Sequence, residues 1–157
     1  MCIVIDINTL ALVFNQNTAG HQEFEPVRNW VITGSGHVVY GGTKYKKELS
    51  RAYRYLRLFR LLKDKRRACE IDQNMVDAEH ARLDQKTQGT GCNDQHLIAI
   101  FAVSGCRLFC SHDRCADKFI RDKSLYPKNH PRPSIYRTRR HEHLLCTRYI
   151  VKLRNVS

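Results

Sequence analysis

The sequence predicts an α/β fold in which helices flank a mostly parallel central sheet of four to five strands. Short apolar runs alternate with longer amphipathic segments, and the run at residues 2–5 contains no polar position, which is typical of a strand buried on both faces. The 157 residues match the usual size of one domain. We therefore expect a single domain over residues 1–157, with a basic C-terminal segment from about residue 123.

Strand and helix signals alternate through the first 40 residues. After the strand at 2–5, Asn8–Thr9 predicts the cap of a helix over 10–14. Pro26 predicts the first turn of a second helix, which should stop at Gly34 because glycine favours helix ends. A second, apolar strand is expected directly after this stop, at 37–40.

Gly41–Gly42 marks the turn from the second strand into one long helix over 43–62, because good helix formers follow without interruption. Backbone N–H groups of two glycines before a helix can also cradle a phosphate, but a tight turn explains the pair at least as well. An edge strand at 68–71 and a helix near 74–83 should follow.

The second half of the chain contains one strongly buried helix. Asn93–Asp94 opens it, and the unbroken apolar run at 97–103 predicts burial nearly all round before Gly105 ends it. The other elements expected there are a strand at 107–110, a short helix at 116–122, a proline-containing loop and a last strand near 150–151.

Charge and cysteine content restrict the partners and the compartment. Lys and Arg total 27 against 15 Asp and Glu, a net charge of +12, so RNA, DNA or an acidic protein is a better partner than a neutral small molecule. No window approaches the length of a membrane span, and the first residues do not resemble a secretory leader. We therefore expect a cytoplasmic protein with no membrane contact, whose seven cysteines are reduced thiols. Self-association into a homo-oligomer stays open.

Four acidic residues occupy positions where functional groups collect in parallel sheets. Asp6 and Asp113 follow predicted strands, Asp94 lies in the first turn of the buried helix, and Glu48 lies in the helix after Gly41–Gly42. If these carboxylates converge, their repulsion calls for a divalent cation. Oxygen ligands and water are what Mg²⁺ or Mn²⁺ prefers.

Each acid also has a purely structural interpretation. Asp6 could cap the next helix, Asp94 could interact with the dipole of its own helix, and Asp113 could be a turn residue. Glu48 could be an ordinary solvated charge. The order and spacing of the four together favour the metal site.

Four segments resemble the PIN-domain nucleases in their order and spacing, over roughly residues 2 to 120. They are Val4-Ile5-Asp6, Gly-Gly-Thr-Lys-Tyr-Lys-Lys-Glu48-Leu, Asn93-Asp94 and Ser111-His112-Asp113. The resemblance implies a PIN-like three-layer sandwich and a metal-dependent endoribonuclease in which Asp6, Glu48, Asp94 and Asp113 hold Mg²⁺ or Mn²⁺. It also implies that Ser111 steadies the site and that Asn8 contacts it, and leaves open whether Asp117 joins the metal ligands. By the same analogy the chain resembles the toxin of a bacterial toxin-antitoxin pair.

A row of arginines every third residue is a candidate surface for binding the substrate. The row could contact RNA phosphates while the tyrosines beside it stack on bases. It consists of Arg51, Arg54, Arg57 and Arg60, with Tyr53 and Tyr55 beside them. The same row could instead be a solvated face or the binding surface for an acidic antitoxin.

Two other functions compete with the nuclease. One is a catalytically inactive PIN-like module that binds RNA or protein. The other is a phosphatase of the haloacid dehalogenase class, which also has an Asp after its first strand but requires a second Asp and a Thr where this chain has Asn8 and Leu10.

Overall fold

A computed structural model describes residues 1–146 and 153–157 and contains one five-stranded sheet in which every pairing is parallel. Its spatial order is β3-β2-β1-β4-β5. The strands are β1 (Cys2–Ile5), β2 (His37–Gly41), β3 (Ala68–Ile71), β4 (Leu108–Cys110) and β5 (Ser134–Tyr136). The predicted α/β class, the parallel sheet and the edge position of β3 are confirmed.

Helices fill every connection between consecutive strands. The rule that parallel crossovers are right-handed predicts that the connections β1–β2–β3 and the return connection from β3 to β4 run on opposite faces of the sheet. The result is a three-layer sandwich, as predicted. The helices are α1 (Leu10–Phe14), α2 (His21–Ile32), α3 (Thr43–Arg51), α4 (Tyr53–Asp64), α5 (Gln73–Lys86), α6 (Gln95–Ser104) and α7 (Asp117–Ile120), with short 3-10 segments at Ile7–Thr9, Lys123–Leu125 and Arg139–Leu144.

The core is built around β1 and α6, the two segments with unbroken apolar sequence. All four residues of β1 are buried, and α6 is buried almost throughout while it contacts β1, β2 and β3. Burying one large aliphatic side chain contributes about 1.5–3 kcal/mol, so these two elements dominate the hydrophobic stabilisation of the sheet. Gly105, with φ of 75°, ends α6 in the left-handed conformation that glycine adopts without strain.

The single helix predicted over 43–62 is wrong, because the chain breaks at Ala52, whose φ of −96° and ψ of 64° are not helical. Leu49 is buried on α3 and Phe59 on α4, so each piece packs its own apolar face against the core. The sequence has no glycine or proline that would stop a helix at this point, so local propensity predicts one continuous helix. Tertiary packing overrides that propensity and breaks the helix. The break places Arg51 at the end of α3 and the other predicted arginines on α4.

The predicted start of the second helix at Pro26 is also wrong, because α2 begins five residues earlier, at His21. A proline inside a helix cannot donate to the carbonyl four residues before it, which here belongs to Gln22. Arg139 Nη1 donates to that carbonyl over 3.5 Å instead. This long-range hydrogen bond therefore replaces, in part, the helical hydrogen bond that Pro26 cannot make to Gln22.

The turn at Gly41–Gly42 is closed by a side chain from another helix. Thr43 donates to Asp77 of α5 through both its backbone N–H (2.7 Å) and its hydroxyl (2.6 Å). Because the N–H of Thr43 already donates to Asp77, it is not free to bind a phosphate. The tight turn explains the glycine pair better than a phosphate cradle does.

The C-terminal part differs most from expectation. The prediction did not include β5, a three-residue strand directly after Pro133, and α7 is shorter than the helix predicted at 116–122. The last strand predicted near 150–151 lies outside the described residues. Among the residues described, no helix has the length and apolar character needed to cross a bilayer.

Candidate active site

The site lies at the carboxyl ends of β1 and β4, where the connections of the sheet diverge. From β1 the chain moves toward β2, whereas from β4 it moves the other way, toward β5. Such a switch point opens a crevice in an α/β sheet. Asp6 follows β1 at this crevice, its N–H donates to Cys110 O over 3.0 Å, and Ser111 begins the loop after β4.

Asp6 is held from both sides by hydrogen bonds. Its Oδ1 accepts from the backbone N–H of Asn8 at 3.3 Å, and its Oδ2 accepts from the hydroxyl of Ser111 at 3.1 Å. Ser111 Oγ in turn accepts from the N–H of Asp113 at 3.2 Å, which links the two strand ends. Burial nevertheless raises the pKa of Asp6 against the lowering effect of these hydrogen bonds. The protein alone does not fully stabilise the Asp6 carboxylate.

Glu48 is directed toward Asp6 by its own helix. The buried Tyr45, one turn earlier on α3, donates its hydroxyl to the carbonyl of Ile5 at 2.7 Å and so fixes α3 on the end of β1. Burial raises the pKa of Glu48, and the charges of Asp6 and Asp94 raise it further, while Lys44 opposes them. Glu48 is therefore part of the acidic cluster and not an independent surface charge.

Asp94 occupies the N-cap position of α6 without a side-chain capping hydrogen bond. Burial raises its pKa, and the charges of Asp6 and Asp113 raise it further. A capping carboxylate would be stabilised in its charged form, with a lowered pKa. The geometry therefore favours a role for Asp94 other than the cap.

Asp113 differs from the other three acids. It is exposed, and its Oδ1 accepts from the N–H of Cys115 at 2.8 Å, a hydrogen bond that lowers its pKa. The structural interpretation of Asp113 as a turn residue is thus visible in the structure. Its charge still acts on Asp6 and Asp94, so it lies at the rim of the same cluster.

Asp117, whose role the sequence left open, is paired with Arg137. The guanidinium binds both carboxylate oxygens, through Nη1 at 2.8 Å and Nη2 at 2.6 Å. Arg137 also donates to the carbonyls of Ser111 at 3.2 Å and Asp113 at 3.0 Å. Asp117 therefore fixes the loop after β4 through Arg137. Arg137 was not predicted as a site residue, because it follows β5, the strand that was not predicted.

Lys44 and His96 border the acids, although neither was predicted as a site residue. Lys44 on α3 donates to the carbonyl of Asn93 at 3.2 Å, and its charge lowers the pKa of both Glu48 and Asp94. The buried His96 lies with Nε2 3.6 Å from Glu48 Oε2. Burial, aided by the charge of Lys44, lowers the pKa of His96 to about 3, so its ring is neutral at physiological pH.

The predicted substrate-binding residues divide between two places. Asn8 and Arg51 line a cavity of about 410 Å³ together with Glu48, directly beside the acids. Arg54 and Arg57 line a separate groove further along α4. Thr9, expected to cap α1 with Asn8, instead uses its hydroxyl to accept from the N–H of His112 at 3.2 Å and to contact His112 Nδ1 at 2.9 Å.

The donor set fits a hard divalent cation that retains water ligands. Asp6, Glu48, Asp94 and Asp113 offer only carboxylate oxygens, and burial together with mutual repulsion raises the pKa of the first three. Over residues 1–146 and 153–157, no three His, Cys, Asp or Glu side chains meet as a group that could hold an ion directly. Mg²⁺ characteristically uses one or two protein carboxylates and several waters, so the cluster suits this ion or Mn²⁺.

Comparisons with protein-family models, with curated proteins and with solved structures returned no match for this chain. The assignment of function therefore depends on the residues of the site and on the fold that brings them together.

Proposed function

We propose that this protein is a metal-dependent endoribonuclease that hydrolyses RNA phosphodiester bonds with Mg²⁺ or Mn²⁺. The observation that carries the proposal is that Asp6, Glu48 and Asp94, from three separate elements, share the switch point of a parallel sheet and each has a raised pKa. Groups whose pKa values are perturbed by burial and by specific charged neighbours cluster at functional sites. The resemblance to PIN-domain nucleases supports the same assignment.

The chemistry follows from the donor set. Asp6, Glu48, Asp94 and Asp113 would hold the ion, which supplies a lowered pKa for a bound water and neutralises charge on the phosphate. Ser111 orients Asp6 through its hydroxyl, and Arg137 holds the loop that carries Asp113. Arg51, which lines the cavity beside Glu48, is placed to contact a phosphate of the substrate.

The charge distribution suits a polyanionic substrate. The net charge of +12 favours association with a polyanion such as RNA, whereas the site itself is acidic and would repel phosphates in the absence of a cation. The choice of RNA over DNA comes from the family resemblance.

The test is incubation of the purified protein with a mixture of single-stranded and structured RNAs, with Mn²⁺ or with a chelator. We expect cleavage only with Mn²⁺, and at least a 100-fold loss of rate in Asp6→Asn. Asp64→Asn is the matched control, because Asp64 is an exposed acid at the end of α4, away from the cluster. Cleavage that persists in the chelator, or in Asp6→Asn, would refute the proposed mechanism.

One observation favours a second candidate, a catalytically inactive PIN-like module that binds RNA or protein. The described residues do not form a three-ligand group ready to hold an ion. This candidate predicts RNA binding without cleavage and without any shift of the melting temperature on addition of Mn²⁺, so the same experiments separate the two.

A further inference from the structure

A groove of about 640 Å³ runs along α4, outside the acidic cluster. One wall is formed by α4, with Tyr53, Arg54 and Arg57, and the other by Arg28 of α2 together with the connection between α1 and α2, at 15–17. We call this the α4 groove. It begins one residue after Ala52, which lines the cavity beside Glu48, so the two are neighbours along the chain.

The α4 groove is cationic on both walls. Its lining includes three arginines and no Asp or Glu, and none of the three forms an ion pair with another described residue. Arg54 and Arg57 lie one turn apart on α4, while Arg28 faces them from α2. Guanidinium groups in this arrangement suit a chain of phosphates spaced along the groove.

Apolar, aromatic and amide side chains line the groove between the arginines. The apolar ones are Phe14, Leu58 and Leu61, of which Leu61 is 58% exposed. The side chain of Tyr53 is 64% exposed, an unusual state for a large aromatic residue, and Tyr55 lies half-buried beside it. Asn15 and Asn17 contribute polar side chains to the same lining. An exposed ring next to arginines is a platform on which an unpaired base can stack, and a base in a duplex cannot use it.

We propose that the α4 groove binds single-stranded nucleic acid, with phosphates on Arg28, Arg54 and Arg57 and a base stacked on Tyr53. The exposed ring of Tyr53, beside arginines that form no ion pair with another described residue, favours this ligand. An acidic protein docked on the apolar part of the lining is the alternative that the tests below distinguish. Because the groove and the cavity beside Glu48 are neighbours along the chain, the bound strand would continue into the cleavage site, a step that rests on the proposed nuclease function. The binding itself does not.

The first test is the fluorescence anisotropy of a labelled ten-nucleotide single-stranded RNA, titrated with the protein in chelator so that nothing is cleaved. We expect Arg54→Gln/Arg57→Gln to weaken binding at least tenfold and to lower the salt slope by about 1.4, or about 0.7 for each lost phosphate contact. Arg60→Gln/Lys65→Gln removes the same charge from exposed positions near the end of α4 that do not line the groove, and should lose less than threefold. Equal losses in the two double variants would overturn the proposal.

The second test addresses the ring. Tyr53→Ala should weaken single-strand binding by about 5- to 100-fold, as expected for one lost stacking contact, whereas Tyr53→Phe should keep it. A duplex of the same length should bind more weakly than the single strand. If polyglutamate competes as well as the RNA and Tyr53→Ala has no effect, the groove is a site for an acidic protein and the proposal is wrong.

The two proposals can fail separately. Single-strand binding that depends on Arg54, Arg57 and Tyr53, without cleavage in Mn²⁺, would refute the nuclease and leave the α4 groove standing. Mn²⁺-dependent cleavage, together with single-strand binding that does not depend on these residues, would support the nuclease and refute the α4 groove.

Discussion

At the scale of single residues, the acids at the switch point favour protonation more than ordinary carboxylates do. Burial raises the pKa of Asp6, Glu48 and Asp94, and neighbouring acids raise each of them further. A raised pKa means that the ionised form is less stable in the folded protein than in the unfolded chain. These three residues therefore reduce stability at neutral pH in the absence of a cation.

Asp94→Asn is the most informative substitution, because it removes one charge while keeping a side chain that suits the start of a helix. The fold should survive in chelator, with stability unchanged or raised by about 0.5–2 kcal/mol, because repulsion within the cluster falls. RNA cleavage and the Mn²⁺-induced melting shift should both be lost. Wild-type cleavage with an undiminished Mn²⁺ shift would show that Asp94 is not a ligand.

The stability difference between Asp94→Asn and the wild type should depend on pH in a definite direction. The raised pKa of Asp94 contributes stability at pH values below its ordinary 3.8, and this contribution is lost as pH rises through the folded value. The asparagine does not titrate. In chelator, the unfolding free energy of the variant relative to wild type should therefore increase as the pH rises above 3.8, and level off once Asp94 is ionised in the folded protein. A difference that decreases over this range would contradict the raised pKa.

Arg137 has a positioning role that its four hydrogen bonds define. Arg137→Ala should cost about 1.5–3 kcal/mol, measured by denaturant unfolding, because it leaves the Asp117 carboxylate unpaired. Arg137→Lys should rescue little, because an ammonium group cannot bind both carboxylate oxygens and both loop carbonyls. Mn²⁺ affinity should fall in both variants as the loop of Asp113 moves. If a folded Arg137→Ala variant keeps the wild-type Mn²⁺ affinity, Arg137 contributes to stability and does not position the metal site.

At the scale of elements, the start of α3 depends on a glycine that any other residue would replace only with strain. Gly42 has φ of 79° and ψ of 155°, and a Cβ there would lie 2.5 Å from Cγ1 of Val76 on α5. Gly42→Ala combines backbone strain of about 1–3 kcal/mol with this clash and should shift Glu48, because α3 must move. Gly89→Ala is the control, since Gly89 also has positive φ but no atom within 4 Å of its Cβ position. Equal melting temperatures for the two variants would contradict the close approach of α3 and α5.

At the scale of the whole molecule, metal binding should act as a stabilising ligand. An ion that binds only the folded protein adds about 2.7 kcal/mol at 100 times its dissociation constant, so the melting temperature should rise with Mn²⁺ concentration. Asp6→Asn should abolish the rise, and Asp64→Asn should keep it. A shift of the same size in Asp6→Asn would place the ion elsewhere.

The sequence by itself determined the parallel sheet, the buried β1 and α6, the edge strand β3 and the positions of Asp6 and Asp113 after their strands. These features depend on local information. Apolar runs show burial on both faces, glycines show turns, and the rule for parallel sheets places strand ends at one edge.

Only the tertiary structure decided the break at Ala52, the pairing of Asp117 with Arg137 and the α4 groove. Arg137 lies 20 residues from Asp117, and Arg28 lies on a different helix from Arg54. Local propensity contains no information about such contacts, because their energies depend on which distant segments the sheet brings together. For the same reason, the sequence could indicate which acids to consider, but only the folded chain shows which are paired and which are not. Asp117 is bound to Arg137, whereas burial and neighbouring acids raise the pKa of Asp6, Glu48 and Asp94.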